Sequence, residues 1–302
     1  MVKSKLSAIL IFCILIAIFH PCLYSQPTNP KYQLWQRDSF LRGFNITNRY
    51  DEKILDDFME MKSLKCNFVY LGINDIFDVD KPYNFNDTAL AQMDSMVSFA
   101  VKSGLYYALA VRAGPGRRDV WEENANVAPK STIWQNKEEQ QLYGSMLRFI
   151  VDRYKDDSLF TGIAPFVEPN PLIGEIYNNV KMVDSLLKIK NIDLHSINKV
   201  MIDSIRSADK EIPILIQNVV YSSPEFFSLM VPYEDPYIVY EYHCFRPSEY
   251  VHANEPYTKN YTGTYFSVEE SKFARFDKTY IKETVLKEVR KFKQKVEAPI
   301  FL

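Results

Sequence analysis

The sequence alternates short apolar runs with longer segments of helical periodicity, and this alternation limits the folds that the chain can adopt. Apolar runs rich in β-branched and aromatic residues predict buried strands, whereas the segments between them place apolar side chains on one face of a helix. Strands that alternate with helices form parallel sheets, because each helix carries the chain back across the sheet. The seven predicted strands are Phe40–Thr47, Cys66–Ile73, Leu105–Arg112, Phe160–Glu168, Ile212–Val219, Tyr237–Phe245 and Ala298–Leu302.

The number and spacing of these strands favour a barrel over a doubly wound sheet. We predict the α/β class and a (β/α)8 TIM barrel that is incomplete, with about seven strands present and the eighth strand and last helices missing. No glycine-rich phosphate loop follows the first strand, and Gly114-Pro115-Gly116 is too short for a dinucleotide fingerprint. Long segments follow strands three, four and six, where a barrel builds its binding loops.

Composition and cysteine use exclude several classes of function. The chain has 36 basic and 38 acidic residues among 302, so it lacks the basic surface that a nucleic-acid partner requires. Two of the four cysteines lie near the N-terminus. The other two, Cys66 and Cys244, have no cysteine or histidine at metal-ligand spacing. We therefore expect no metal site, no cofactor and no nucleic-acid partner.

The N-terminus is typical of an export signal. Lys3 and Lys5 precede the apolar run 6–19, which is short for a membrane span. A lipid anchor at Cys22 is disfavoured, because residues 19–21 are not the small residues of such a signal. No second apolar run of spanning length follows, so we predict a secreted, periplasmic or cell-surface protein without an integral membrane segment. The predicted divisions are a signal peptide at 1–25, a leader at 26–39 and a barrel domain at 40–302.

The fourth predicted strand ends in a carboxylate. Glu168 is followed by Pro169, which denies the strand its next backbone donor. The tip of a barrel strand is where such folds hold their catalytic groups. Two interpretations remain at this point: a catalytic carboxylate facing a cleft, or a loop carboxylate that caps local structure.

Four short motifs follow one another at barrel spacing. They are Arg42-Gly43-Phe44-Asn45 on the first strand, Arg112 to Arg117 after the third, Val167-Glu168-Pro169 at the end of the fourth, and Tyr240-Glu241-Tyr242-His243 on the sixth, followed by Pro247 and Tyr250. In this order they resemble glycoside hydrolase family 5, the cellulase and mannanase family, from about Phe40 to the C-terminus.

The resemblance implies hydrolysis of a β-linked polysaccharide or oligosaccharide by a retaining, two-glutamate mechanism. It makes Glu168 the acid/base residue. His243 would then orient a carboxylate or a sugar hydroxyl, and the alternative is a core histidine with satisfied hydrogen bonds. Glu241 shares that face and is an alternative second carboxylate, but it lies deeper than the strand tip, so we expect it to form a buried pair with Arg42 or Arg112.

Several positions depart from the family pattern. They are Tyr70 near a usual arginine, Arg112 at a usual histidine, Val167 at the asparagine before the acid/base, and Phe245 at a usual tyrosine. Because Val167 cannot bond a sugar hydroxyl, Arg112 and Asn170 are candidates to supply that contact. Trp121, Trp134 and Tyr250 suit stacking on sugar rings, although packing within the core or a loop is the alternative for each.

The C-terminal run lies where the resemblance implies the second carboxylate. Ala298–Leu302 resembles the family's seventh strand, which continues into Gly-Glu and the nucleophile. We therefore expect a fragment that holds the acid/base residue but not the nucleophile, with little activity of its own. The alternative is a non-catalytic carbohydrate-binding pseudoenzyme barrel. A barrel hydrolase of another kind is disfavoured, since the sequence contains no Gly-x-Ser-x-Gly elbow.

Overall fold

A computed structural model describes residues 29–37, 40–47, 53–125, 129–252, 262–267 and 270–302. Within this part of the chain, seven parallel strands form one sheet in the order β1-β2-β3-β4-β5-β6-β9, and β7 and β8 form a separate antiparallel hairpin. The strands are β1 Gly43–Thr47, β2 Phe68–Ile73, β3 Tyr106–Val111, β4 Phe160–Ala164, β5 Ile214–Gln217, β6 Ile238–Glu241, β7 Thr264–Ser267, β8 Lys272–Arg275 and β9 Ile300–Phe301.

Helices precede the sheet and connect its strands. They are α1 Pro30–Gln36, α2 Lys53–Ser63, α3 Asp87–Lys102, α4 Val120–Asn124, α5 Lys137–Tyr154, α6 Val180–Ile189, α7 Leu194–Ala208, α8 Ser248–Val251, α9 Lys278–Tyr280 and α10 Lys287–Lys293, with a 3-10 helix at Pro224–Leu229 and a π-helical turn at Ile281–Val285. Asparagine and aspartate side chains cap the long connecting helices; Asn86, for example, accepts a hydrogen bond from the third residue of α3. Because neighbouring strands of this sheet pair in parallel, each connection returns the chain to the same end of the sheet.

The central strands β2 to β6 are buried on both faces, whereas the edge strand β1 is largely exposed and the edge strand β9 is partly buried. Alternate strand residues point to opposite faces, and one set packs inside the curve of the sheet: Leu41, Phe68, Tyr70, Ala108, Ala110, Ala164, Val167, Leu215 and Val239. The other set, which includes Leu71, Ile163 and Ile216, packs against the helices. Burial on both faces explains why the strands are continuous apolar runs in the sequence.

The sheet is curled into a half-barrel. The ring of Phe301 on β9 lies 5.8 Å from that of Phe68 on β2, measured between centroids. The hydroxyl of Tyr70 on β2 donates a hydrogen bond of 2.8 Å to Oε2 of Glu241 on β6. Strands far apart in the sheet order thus touch across its interior. In the described part of the chain no pairing joins β1 to β9. This arrangement confirms the predicted incomplete barrel.

A glycine permits the close pairing of the first two strands. A Cβ at Gly43 would lie 1.6 Å from the carbonyl oxygen of Phe68, a distance that no side chain can accept. The glycine of the first motif is therefore required by the β1–β2 pairing, in which Gly43 stands opposite Phe68.

All seven predicted strands are present, and each is shorter than predicted. The difference that matters for the site is at β4, which ends at Ala164, so Glu168 lies four residues beyond the strand. The hairpin of β7 and β8 is not predicted by the sequence, because each strand has only four residues and shows no long apolar run.

The described part of the predicted leader belongs to the barrel. It forms α1, whose first turn is capped by the Asn29 side chain. The Tyr32 hydroxyl donates to the carbonyl of Ile238 at 3.1 Å, and the Trp35 indole donates to the carbonyl of Thr161 at 2.9 Å. Both acceptors lie near strand beginnings, so α1 covers the end of the barrel opposite Glu168. The predicted signal peptide lies outside the described residues, and none of the helices described is long and apolar enough to cross a membrane.

We expect Trp35→Ala to lower the free energy of unfolding by about 3–5 kcal/mol, the usual cost of removing a large buried aromatic side chain. Trp35 is buried and packs edge-on against Phe68 and Phe301. Urea unfolding followed by circular dichroism measures the loss. Trp121→Ala is the matched control: that side chain is 69% exposed, and its loss should change stability by no more than about 0.5 kcal/mol. Equal losses would contradict the packing of α1.

Candidate active site

The polar residues of the candidate site lie where parallel strands end. Glu168 follows β4, Gln217 is the last residue of β5, and Glu241 is the last residue of β6, with His243 two positions further on. The carboxyl ends of parallel strands meet at one edge of the sheet, so these side chains converge although they are far apart in sequence.

One imidazole joins two carboxylates. Nδ1 of His243 lies 2.8 Å from Oε1 of Glu168, and Nε2 lies 3.3 Å from Oε1 of Glu241. The second oxygen of Glu241 accepts the hydroxyl of Tyr70. The structure therefore brings the predicted Glu168 and His243 into contact, and the histidine has carboxylates on both sides.

These neighbours determine the protonation state of His243. Burial alone lowers the pKa of His243, but hydrogen bonds from its ring to Glu168 and Glu241 raise it to about 9. The imidazole is thus charged at neutral pH, and both ring nitrogens donate. Burial and the Glu241 carboxylate also raise the pKa of Tyr70 well above its ordinary value, so that Tyr70 remains a neutral donor.

The backbone of Glu168 is held in an unusual conformation. Its φ is 52°, in the left-handed region that residues with a Cβ rarely adopt. Its amide donates to Oε1 of Gln217 at 2.6 Å, and the preceding carbonyl, of Val167, accepts from Nη2 of Arg117 at 2.7 Å. Such backbone persists only where the surroundings enforce it, and it is concentrated at functional sites.

The arginines at the two ends of the second motif, Arg112 and Arg117, are structural supports of this end of the barrel. Arg112 is buried and forms a two-pronged ion pair with Asp119, at 2.6 and 3.2 Å. Arg117 is also buried, and besides the carbonyl of Val167 it bonds that of Arg112 at 2.8 Å. The expected pairing of Glu241 with Arg42 or Arg112 is therefore wrong, because Glu241 bonds Tyr70 and His243. Arg117 was not among the predicted site residues, and its only signal was its place in the motif.

The other predicted binding residues differ in how far their side chains are exposed to solvent. Trp121 on α4 is strongly exposed and Tyr250 on α8 is partly exposed. Trp134 is buried, with its ring 5.6 Å from that of Phe166. Asn170 is buried as well, and its Oδ1 accepts the amide of Leu172 at 3.1 Å. Trp121 and Tyr250 thus offer surface to a ligand, whereas Trp134 and Asn170 serve packing and a turn in this conformation. Their roles in binding sugar, and that of Arg112, stay predictions.

A cavity of about 540 Å³ opens beside β1 and β9, the two edge strands of the sheet. Its wall includes Arg42 and Asn45 from the first motif and Glu241 and His243 from the fourth. The first and last motifs of the sequence are thus brought to one concave surface, of the size that small-molecule sites usually have.

Comparison with protein families gives a match over nearly the whole chain. The family model described as Cellulase (glycosyl hydrolase family 5) matches residues 36–301. The matched range includes all four motifs and the three residues Glu168, Glu241 and His243. No curated protein matches the chain.

Solved structures share the fold. A structure described as a glycoside hydrolase aligns with a TM-score of 0.60 at 18% identity, covering 86% of this chain and 78% of that chain. Endoglucanase Cel5A from Thermotoga maritima aligns with a TM-score of 0.59 at 17% identity, covering 90% and 80%. The cellulose synthase subunit Z of Clostridioides difficile gives 0.58 at 15% identity, covering 86% and 79%. At such identities the likeness concerns the barrel and not its chemistry.

We expect the stability of the chain to fall as the pH rises from 6.5 to 9. The pKa of His243 is about 9 in the folded chain against an ordinary 6.5, so its proton stabilises the fold fully below 6.5 and that contribution is lost as the pH passes 9. The loss amounts to about 3 kcal/mol, at 1.36 kcal/mol for each pKa unit. Urea unfolding at several pH values measures it.

The variant His243→Gln should show a flatter dependence over this range, because it carries no proton to lose. His252→Gln, at an exposed histidine, should keep the slope of the unmodified chain. Parallel curves for the unmodified chain and His243→Gln would contradict a charged imidazole.

Proposed function

Because the chain belongs to glycosyl hydrolase family 5, we propose that it acts on a β-1,4-linked glucan with Glu168 as the acid/base residue. The observation that carries this proposal is the hydrogen bond between Glu168 and the ring of His243 at the carboxyl end of the strands. The glutamate lies at the matching position of the family motif, and the side chains of Gln217 and Arg117 bond the peptide group that precedes it.

The geometry of Glu168 suits proton transfer. Glycoside hydrolysis requires a carboxyl group to protonate the departing oxygen and later to activate water. The side chain of Glu168 is 14% exposed, enough for a ligand to reach it from the barrel end. His243 occupies Oε1, which leaves Oε2 to face a glycosidic oxygen. We assign His243 the role of orienting Glu168.

Glu241 does not suit the role of nucleophile. It is 1% exposed, and its oxygens accept from Tyr70 and His243. An attacking carboxylate needs a free oxygen against the sugar, about 5–5.5 Å from the acid/base carboxyl in the retaining mechanism. We therefore propose that Glu241 is the counter-ion of His243, that no described carboxylate beside His243 acts as nucleophile, and that the chain alone turns over little substrate.

The substrate class rests on the family and on the exposed aromatic side chains. Structures of similar fold include one described as a hyperthermophilic endo-β-1,4-glucanase in complex with substrate, at a TM-score of 0.57 and 13% identity. Trp121 and Tyr250 are the exposed rings that we assign to sugar stacking. A polymer of this kind is degraded outside the cell, in keeping with the proposed export of the chain.

Chemical rescue tests the assignment of Glu168. With an aryl β-cellobioside that has a poor leaving group, we expect the purified chain to show little turnover, and added azide to restore it by attacking the anomeric carbon in place of a protein carboxylate. Glu168→Gln should abolish the restored rate, because the leaving group then receives no proton. Glu175→Gln is the control, since this partly exposed glutamate pairs with Lys190 on the surface, and it should leave the restored rate unchanged.

Two outcomes would alter the proposal. Turnover without azide that disappears in Glu168→Gln would show that a carboxylate of the chain acts as nucleophile, which contradicts the proposed low turnover. Failure of azide to restore turnover, together with binding of cellohexaose by calorimetry, would favour the carbohydrate-binding pseudoenzyme.

A further inference from the structure

The turn that follows β5 has a backbone that most residues avoid. Val220, Tyr221 and Ser222 have φ values of 56°, 60° and 54°, so three consecutive residues lie in the left-handed region and none is glycine. This conformation is unfavourable for any residue with a Cβ, and most unfavourable for a β-branched residue such as Val220. Specific contacts must therefore hold the turn.

Asn218 supplies the contacts at the start of the turn. Its Oδ1 accepts the amide of Val219 at 2.8 Å, and its Nδ2 donates to the carbonyl of Phe226. The two ends of the turn also bond each other: the amide of Asn218 donates to Oγ of Ser222 at 3.0 Å, and the amide of Ser222 donates to the carbonyl of Asn218 at 3.1 Å. Ser222 is fully buried, so water cannot replace these bonds.

Ser222 takes the place of a strand partner for the end of β6. The pairing of β5 with β6 stops at Gln217 opposite Glu241. Beyond that point the Ser222 hydroxyl donates to the carbonyl of Glu241 at 2.6 Å, and the amide of His243 donates to the carbonyl of Ser222 at 3.0 Å. One buried serine thus anchors the main chain of both residues whose side chains meet in the site.

We propose that Ser222 is a positioning residue, which fixes the end of β6 so that the imidazole of His243 lies between Glu168 and Glu241. The titratable groups around the imidazole are Glu168 from the β4 side, Glu241 from β6 and, behind it, Tyr70 from β2. The contact to Glu241 is already 3.3 Å long, so a small shift of the main chain weakens it. The inference rests on the proposed function only in assigning His243 the role of orienting the acid/base residue Glu168.

Nuclear magnetic resonance titration of the histidine rings tests the proposal without any activity assay. In Ser222→Ala we expect the titration midpoint of His243 to fall by about one pH unit or more, because its hydrogen bonds to the carboxylates weaken. His243→Gln identifies the signal. The matched control is Thr161→Val, which removes another fully buried hydroxyl that bonds a strand carbonyl, that of Tyr107 at 2.9 Å, near the opposite end of the barrel. It should leave the midpoint of His243 unchanged.

A folded Ser222→Ala variant with an unchanged His243 midpoint would overturn the proposal, and so would an equal fall in Thr161→Val. If Ser222→Ala does not fold, hydrogen exchange of the His243 amide in the unmodified chain tests the proposal instead. Slow exchange of the His243 amide supports the bond to Ser222, whereas exchange at the rate of an exposed loop overturns it. Because neither readout depends on turnover, failure here is distinguishable from failure of the proposed glycosidase activity.

Discussion

The sharing of one charged imidazole by two carboxylates is the interaction on which the rest of the site depends. Glu241 is almost completely buried, and a buried carboxylate is costly unless it is paired and hydrogen-bonded. Tyr70 on β2 and His243 beyond the end of β6 each form a hydrogen bond with one oxygen of this carboxylate. Pairing keeps the proton on His243, and the charged ring in turn orients Glu168 at its other nitrogen. Glu241 thus acts on Glu168 through the histidine.

The scaffold gives this interaction its rigidity. The central strands, buried on both faces, fix the strand ends, and α1 closes the opposite end of the barrel through Trp35 and its neighbours. Among the left-handed conformations at the functional end are those of Glu168 and of the turn at 220–222. Both irregular segments are tied to strand ends by buried hydrogen bonds, as is required if an unfavourable backbone is to persist.

The sequence predicted those features that depend on local pattern. Buried strands have a continuous apolar run, and a proline after Glu168 marks the end of the fourth run, so the strand order and the site carboxylate could be inferred. The partner of Glu241 could not be inferred, because the contact with Tyr70 exists only once the sheet has curled and brought β2 close to β6. The ion pair of Arg112 with Asp119 lies in a loop without periodicity. The left-handed turn has no glycine to indicate it.

The ring nitrogens of His243 provide the most direct test of this account. Nitrogen-15 chemical shifts of a selectively labelled chain, recorded at pH 7.5, distinguish an imidazolium from either neutral tautomer. We predict that both nitrogens of His243 are protonated at this pH. A neutral His243, with one protonated and one bare nitrogen, would contradict the proposed bridge between Glu168 and Glu241.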